Sequence, residues 1–224
     1  MNYEKKVSLL RNLEILKSFG YEYCNDINLI NDDINNKLPN DFNQLKNIVM
    51  NCNLCQCSKS RTNVLFGSGD ENSIIMFVGN FNSTFDDEKG QYFQGNVGEL
   101  FANMIEKVLL IPKESVYVTN ILKCLPNSTN IDLNDINICK EYLFKQFDII
   151  SPKIIVTLGE DSFDHITNNK FEWNKVKGNI IKHNNYTILP MFHPSHILRN
   201  PTLKKDAFQD MLKLKSYISE IKID

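Results

Sequence analysis

Six cysteines stand at positions 24, 52, 55, 57, 124 and 139. Cys52 and Cys55 form a C-x-x-C, a spacing that lets two thiolates meet one metal centre. Cys124 and Cys139 follow at long range. Thiolates so arranged suit zinc or an iron–sulfur cluster, and the alternative is a set of buried thiols. The N-terminus MNYEKKVSLLRNLEILK mixes charge into every turn and has no apolar core of a secretory leader. The expected compartment is therefore the cytoplasm, where disulfides are rare.

The elements that must position such groups read as alternating strands and helices. Ile74-Ile75-Met76-Phe77-Val78 is a continuous apolar run ending in Gly79, the mark of a strand buried on both faces. A helical pattern spans Val97 to Leu109, with Leu100, Phe101, Met104, Ile105 and Val108 on one side. Strands are expected at Val116–Val118, Ile154–Leu158 and Tyr186–Met191, with helices over Asn134–Ile150 and Thr202–Ile221. The pattern predicts an α/β fold, a three-layer α/β/α stack around a mostly parallel, four-stranded sheet. Ligands of such sheets sit beyond the carboxyl ends of the strands. Gly79 to Gly95, Asn120 to Cys124 and His193 to Arg199 all fall there, so three loops are expected to build the active site.

Residues 1–45 read as an appendage to a domain over 46–224. Val7, Leu9, Leu10, Leu13 and Leu16 give a helical repeat, and Asp26 to Asn43, with Pro39, reads as an Asn/Asp-rich linker. Hydrophobic residues are 42 % and charged residues 23 % of the 224, which excludes a disordered chain and a collagen-like fibre. No apolar run approaches the roughly 18 residues of a membrane span. The net charge of −2 gives no bulk attraction to nucleic acid, although a local basic face is allowed. There are 30 Asn against 2 Ala and 3 Arg, a bias that resembles codon usage in an AT-rich genome. An isolated Asn thus carries little weight here, and an Arg carries more.

Five blocks, in order, resemble the family 4 uracil-DNA glycosylases, the iron–sulfur branch of that superfamily. CNLCQCSKSRTNVLFGSG resembles the family's opening C-x-x-C, Arg-Thr and Gly-x-Gly turn. IIMFVGNFNSTFDDEKGQYFQGNVGELF is similar to FVGEAPGADED…G-x-PFVG-x-AG-x-L. YVTNILKCLP resembles TNVVKCRP, PKIIVTLG resembles the core strand, and ILPMFHPSHILRNP resembles MPTYHPAYLLRNP. The resemblance runs from about Cys52 to Leu214. It implies one four-iron four-sulfur cluster on Cys52, Cys55, Cys124 and Cys139, a type of site that accepts thiolates from distant segments. A four-cysteine zinc site would use the same ligands, and Cys57 is a rival to Cys55. Cys24 lies outside the matched region.

The implied reaction is hydrolysis of the N-glycosidic bond of deoxyuridine, by a monomer acting on uracil-containing DNA, single- or double-stranded. The base must be flipped out of the stack to be reached. Gly79, Phe93 and Asn120 would form the pocket, with Phe93 stacking on the base and the Asn120 amide pairing with uracil O4 and N3. His193 matches the catalytic histidine and would stabilise charge on uracil O2. Ser195 and Arg199 would hold phosphates, while Ile197 and Leu198 would fill the hole left in the duplex. The first loop departs from the family: Glu becomes Asn80, Pro becomes Asn82 and the second Gly becomes Ser83. Asp86 is left as the carboxylate for the sugar cation and its water, while Asn80 can orient water but not take its proton. Leu125 replaces an Arg. The altered loop leaves two alternatives beside an active uracil glycosylase: a lesion-sensing DNA-binding protein, or a glycosylase for another deaminated base.

Overall fold

The computed structural model describes residues 3–18, 38–127 and 131–221. Cys24 and the expected linker up to position 37 lie outside them. The elements follow in chain order as α1 (Tyr3–Ser18), α2 (Phe42–Met50), β1 (Ser68–Gly69), β2 (Ile75–Gly79), α3 (Thr84–Lys89) and α4 (Gly95–Asn103). Then come β3 (Tyr117–Asn120), α5 (Leu133–Ile150), β4 (Ile154–Leu158), α6 (Glu160–Thr167) and α7 (Trp173–Val176). The chain ends in β5 (Ile181–His183), β6 (Tyr186–Met191), α8 (Pro194–Arg199) and α9 (Lys204–Ile221).

The apolar runs become strands because helices cover both of their faces. β2 and β4 are buried along their whole lengths. Their side chains alternate between two cores, as a period of two requires. Ile75 and Phe77 enter the core with α4 and α9, whereas Met76 and Val78 enter the one with α2 and α5. The same alternation sends Val156 one way and Ile155 the other. This gives the three layers.

The sheet has six strands in the order β1-β3-β2-β4-β6-β5. The four expected strands form its parallel centre, with Gly79 of β2 level with Asn120 of β3. The count of four is corrected by β1 and β5, short antiparallel strands that finish either side. The helical run from residue 95 changes to a π-helical turn over Met104–Leu109. No helix among the described residues is long and apolar enough to cross a membrane.

α2 runs through the expected boundary at position 45, with Leu45, Ile48 and Val49 buried in the first core. α1 docks differently from its apolar repeat. Leu10 is 51 % exposed, whereas Arg11 and Asn12 are buried. Arg11 pairs with Glu141, donates to the Ile138 carbonyl at 3.1 Å and lies over the Tyr142 ring. A polar anchor on α5 thus sets which face of α1 turns inward.

Candidate active site and metal centre

A cavity of about 450 Å³ opens at the carboxyl ends of the parallel strands. Asn80, Asp86, Phe93, Asn120, His193, Ser195 and Arg199 all line it, so the three loops meet as expected. The floor is built on a close approach. A Cβ on Gly79 would lie 2.3 Å from Asn120 Oδ1 and 3.9 Å from His193 Nε2, so only glycine lets these two side chains converge there.

His193 caps α8 with its ring. Nδ1 accepts from the Ser195 backbone N–H at 3.2 Å and lies 2.8 Å from Ser195 Oγ. A nitrogen that accepts carries no proton, so the neutral ring holds its proton on Nε2. Desolvation by the cavity wall pulls the imidazole down to about 4, against a smaller upward effect of the Asp86 charge. His193 is therefore a neutral donor at Nε2. The Ser195 hydroxyl is turned to this ring.

Asn120 is oriented by Asn82, which the sequence marks only as a departure from the family pattern. Its Nδ2 donates to Asn82 Oδ1 at 2.7 Å, and Asn82 Nδ2 donates to the Lys123 carbonyl at 3.1 Å. A carbonyl only accepts, so this end fixes both amides and leaves Asn120 Oδ1 as the acceptor over Gly79. Asn82 is fully buried. The proline of the family pattern offers no such acceptor. Lys123, buried below, donates from Nζ to Thr119 Oγ1, Gln146 Oε1 and the Asn120 carbonyl, each at 2.6 Å.

Phe93 stacks on Phe101 at 4.2 Å between centroids and lies 5.8 Å from the His193 ring. Its backbone is left-handed at φ 53°, a conformation that costs a non-glycine residue stability unless packing holds it. Gly98 permits that packing, because a Cβ there would meet the Phe93 carbonyl oxygen at 1.7 Å. Asp86 completes a capping box with Ser83 and also accepts from the Gln94 N–H at 3.0 Å, which joins α3 to the start of α4.

At the rim, Arg199 is exposed and Leu198 half-buried. Ile197 is only 1 % exposed and belongs to the second core, so the expected pairing of Ile197 with Leu198 at the DNA surface is corrected. α8 turns Ile197 inward and leaves its neighbour Leu198, about 100° round the helix, at the rim. Trp173 and Asp161 line the cavity without having been singled out in the sequence.

The cysteines gather on the other side of β3. Charge on Cys52 and Cys124 acts on Cys139, charge on Cys52 and Cys55 acts on Cys124, and Cys55 acts on Cys52, while Cys57 in turn feels Cys55 and Cys124, so all five thiols lie near one another. Burial pushes Cys124 up to about 11 and Cys139 up to about 12. Donors aim at the sulfurs: Arg61 Nη1 at Cys124 (3.2 Å), the Lys123 N–H at Cys139 (3.4 Å) and the Tyr142 hydroxyl at Cys52 (3.5 Å). Such donors stabilise thiolates in a metal site. Cys57 instead points its thiol at Asp135, 3.9 Å away. Among the described residues, Cys55, Cys57 and Asp135 form the group whose ligand atoms lie within 4.8 Å of one another. Cys52, Cys124 and Cys139 are not members of that group.

A profile of the Uracil DNA glycosylase superfamily matches residues 66–214. The type-4 uracil-DNA glycosylase of Sulfurisphaera tokodaii is 35 % identical over 181 residues, covering 77 % of this chain and 82 % of its own. That of Saccharolobus solfataricus is 33 % identical over 180 residues, or 76 % of this chain and 83 % of the relative. That of Thermotoga maritima is 33 % identical over 177 residues, 77 % and 92 % respectively. The glycine floor, the inward histidine, Cys124 and Cys139 thus lie within the profile match, the relatives match over most of both partners, and the chain belongs to the uracil-DNA glycosylase superfamily, in its type-4 branch.

Proposed function

We propose that this protein is a DNA-repair glycosylase that flips deoxyuridine out of DNA and hydrolyses its N-glycosidic bond, releasing uracil and leaving an abasic site. It acts in the cytoplasm, as a monomer, on single- or double-stranded DNA. The observation that carries the reading is the convergence of Asn120 Oδ1 and His193 Nε2 over Gly79. Uracil N3–H donates to Asn120 Oδ1, whereas cytosine presents a lone pair at N3 and is repelled. Uracil O2 meets the neutral Nε2–H donor of His193, whose bond strengthens as charge builds on the departing base. Phe93 offers the ring face away from Phe101 for stacking. The Asp86 charge faces the cationic sugar, and Asn80 Oδ1 accepts from the attacking water. Leu198 fills the gap in the duplex, and Arg199 with the amides at Ser195 contacts phosphate.

Cys52, Cys55, Cys124 and Cys139 hold a four-iron four-sulfur cluster in this reading, supported by the nearness of these thiols to one another and by the donors aimed at Cys52, Cys124 and Cys139. When bound, the cluster supplies a cross-link among distant segments rather than a reacting group. Cys57 stays outside the set, on Asp135.

The direct test is alkaline cleavage of uracil-containing strands after incubation with the purified protein, with cytosine, hypoxanthine and thymine-mismatch strands beside them. Cleavage at uracil is the expected result. Selective binding of uracil DNA without release would make the protein a sensor instead, and release confined to hypoxanthine would assign another base.

Asn82→Ala removes the acceptor that sets the Asn120 amide and leaves two buried polar groups unpaired. One mis-set hydrogen bond of this kind is worth about 1–3 kcal/mol, so the preference for uracil over cytosine falls by about 10- to 100-fold. Single-turnover rates on the two substrates check this. An unchanged ratio would mean that Asn82 has no part in reading the base.

A further inference from the structure

We propose that the attacking water is held between the Asn80 side-chain oxygen and the Asp161 carboxylate, and that Asp161 takes the water's proton; this rests on the glycosylase reading above.

Three carboxylates line the cavity, those of Asp86, Glu160 and Asp161. Asp86 is committed. Its Oδ2 accepts from the Ser83 N–H at 3.2 Å and the Ser83 hydroxyl at 2.6 Å, and its Oδ1 accepts from the Gln94 N–H at 3.0 Å. Its charge still acts on the pocket, but with both oxygens engaged it is a poor holder of a water molecule.

Asp161 is different. It stands in the first turn of α6, directly after β4, and among the described residues its carboxylate has one hydrogen-bond partner, Asn80 Nδ2 at 3.4 Å. That contact decides how the Asn80 amide is turned. With Nδ2 on Asp161, Oδ1 is the free end of the amide, buried and without a partner among the described residues. A buried amide oxygen with no donor is unfavourable unless water supplies one. The sequence thus replaces a carboxylate in the first loop with an amide, and the fold brings a carboxylate from the β4–α6 junction to the same place.

The junction is fixed rather than free to wander. Gly159 takes φ +97°, its Cβ would lie 3.7 Å from His193 Cβ, and its N–H donates to the Met191 carbonyl at 2.7 Å. The start of α6 is therefore anchored to the strand and loop that carry His193, two residues before Asp161.

One water satisfies both groups. It donates one proton to Asn80 Oδ1 and the other to the Asp161 carboxylate, which leaves a lone pair for the sugar. The C1′–N1 bond breaks and its electron pair leaves with uracil, as charge that His193 stabilises. The water oxygen bonds to C1′, and the proton it loses passes to Asp161. Asp161 returns that proton to solvent, and the uracil anion takes one up, so the sum is water plus deoxyuridine giving uracil and an abasic sugar.

The test is single-turnover uracil release by the full chain, with binding to DNA carrying non-cleavable 2′-fluoro-deoxyuridine as a second readout. Asp161→Asn should be slower by about 10²-fold, the low end for a positioned base, with analogue binding unchanged. Asp161→Glu should recover part of the rate. Asp164→Asn, one turn further along α6 and outside the cavity lining, should match wild type. Because Asn80 and Asp161 share one water, adding Asn80→Ala to Asp161→Asn should cost much less than it does alone. An active wild type with Asp161→Asn at the same rate overturns the inference and leaves the glycosylase reading standing. A wild type that releases no uracil overturns both.

Discussion

Replacing His193 with alanine lowers the single-turnover rate of uracil release by about 10²- to 10³-fold, the cost of removing one preorganised donor, about 2.7–4 kcal/mol. Affinity for DNA with the non-cleavable analogue stays nearly constant, because this bond strengthens only as charge reaches O2. The ring is neutral before the substrate arrives. The unfolded chain protonates this imidazole near pH 6.5 and the folded one near 4, so the folded state prefers the neutral form. Stability from this group is present above about pH 6.5 and is lost as pH falls toward 4. For the same reason the rate should not break near 6.5 through His193. A His193→Ala variant as fast as wild type would remove the histidine from the chemistry.

Cys139→Ala is expected to have the larger effect on the folded protein. Purified anaerobically, wild type should be brown from thiolate-bound iron, and both Cys139→Ala and Cys52→Ala should be colourless, with a melting temperature lower by about 10 °C or more, since a bound metal group is folding free energy. Cys57→Ser should stay brown. Cys139 lies in α5 and its sulfur accepts from the Lys123 N–H, while the Lys123 carbonyl accepts from Asn82. One residue thus lies between the metal-site thiol and the amide pair that reads the base, so Cys139→Ala should also reduce selectivity for uracil. A colourless wild type carrying one zinc would replace the cluster with a single-ion site.

The parts of this molecule legible in the sequence are those written by local pattern. Four strands with both faces apolar, the long helices and the three loops at the strand ends follow from periodicity and Gly79 or Gly159 as punctuation. β1, a Ser-Gly pair, and β5, Ile-Lys-His, carry no such signal, because their pairing with β3 and β6 alone makes them strands. The apolar repeat of α1 marks a helix but not its facing, since Arg11 turns inward while Leu10 is exposed. The partners of Asn82 and Asp161 leave no trace in the sequence for another reason. Asn82 is one of 30 asparagines and meets Asn120 across 38 positions, and Asp161 reaches Asn80 across 81, so no spacing rule connects them. The motif puts Ile197 beside Leu198 without distinguishing them, and only the fold shows which side of α8 faces inward.

The two brief antiparallel strands have a consequence for life in a crowded solution. A sheet's outermost strand is a template on which another chain can add, and a long flat one invites aggregation. Here the last strand on one side is two residues long, and on the other it is three, with Lys182 exposed at its middle. Among the described residues, neither margin offers a long run of unpaired strand on which a foreign strand could add. The parallel centre can therefore stay strongly apolar without making the whole molecule adhesive.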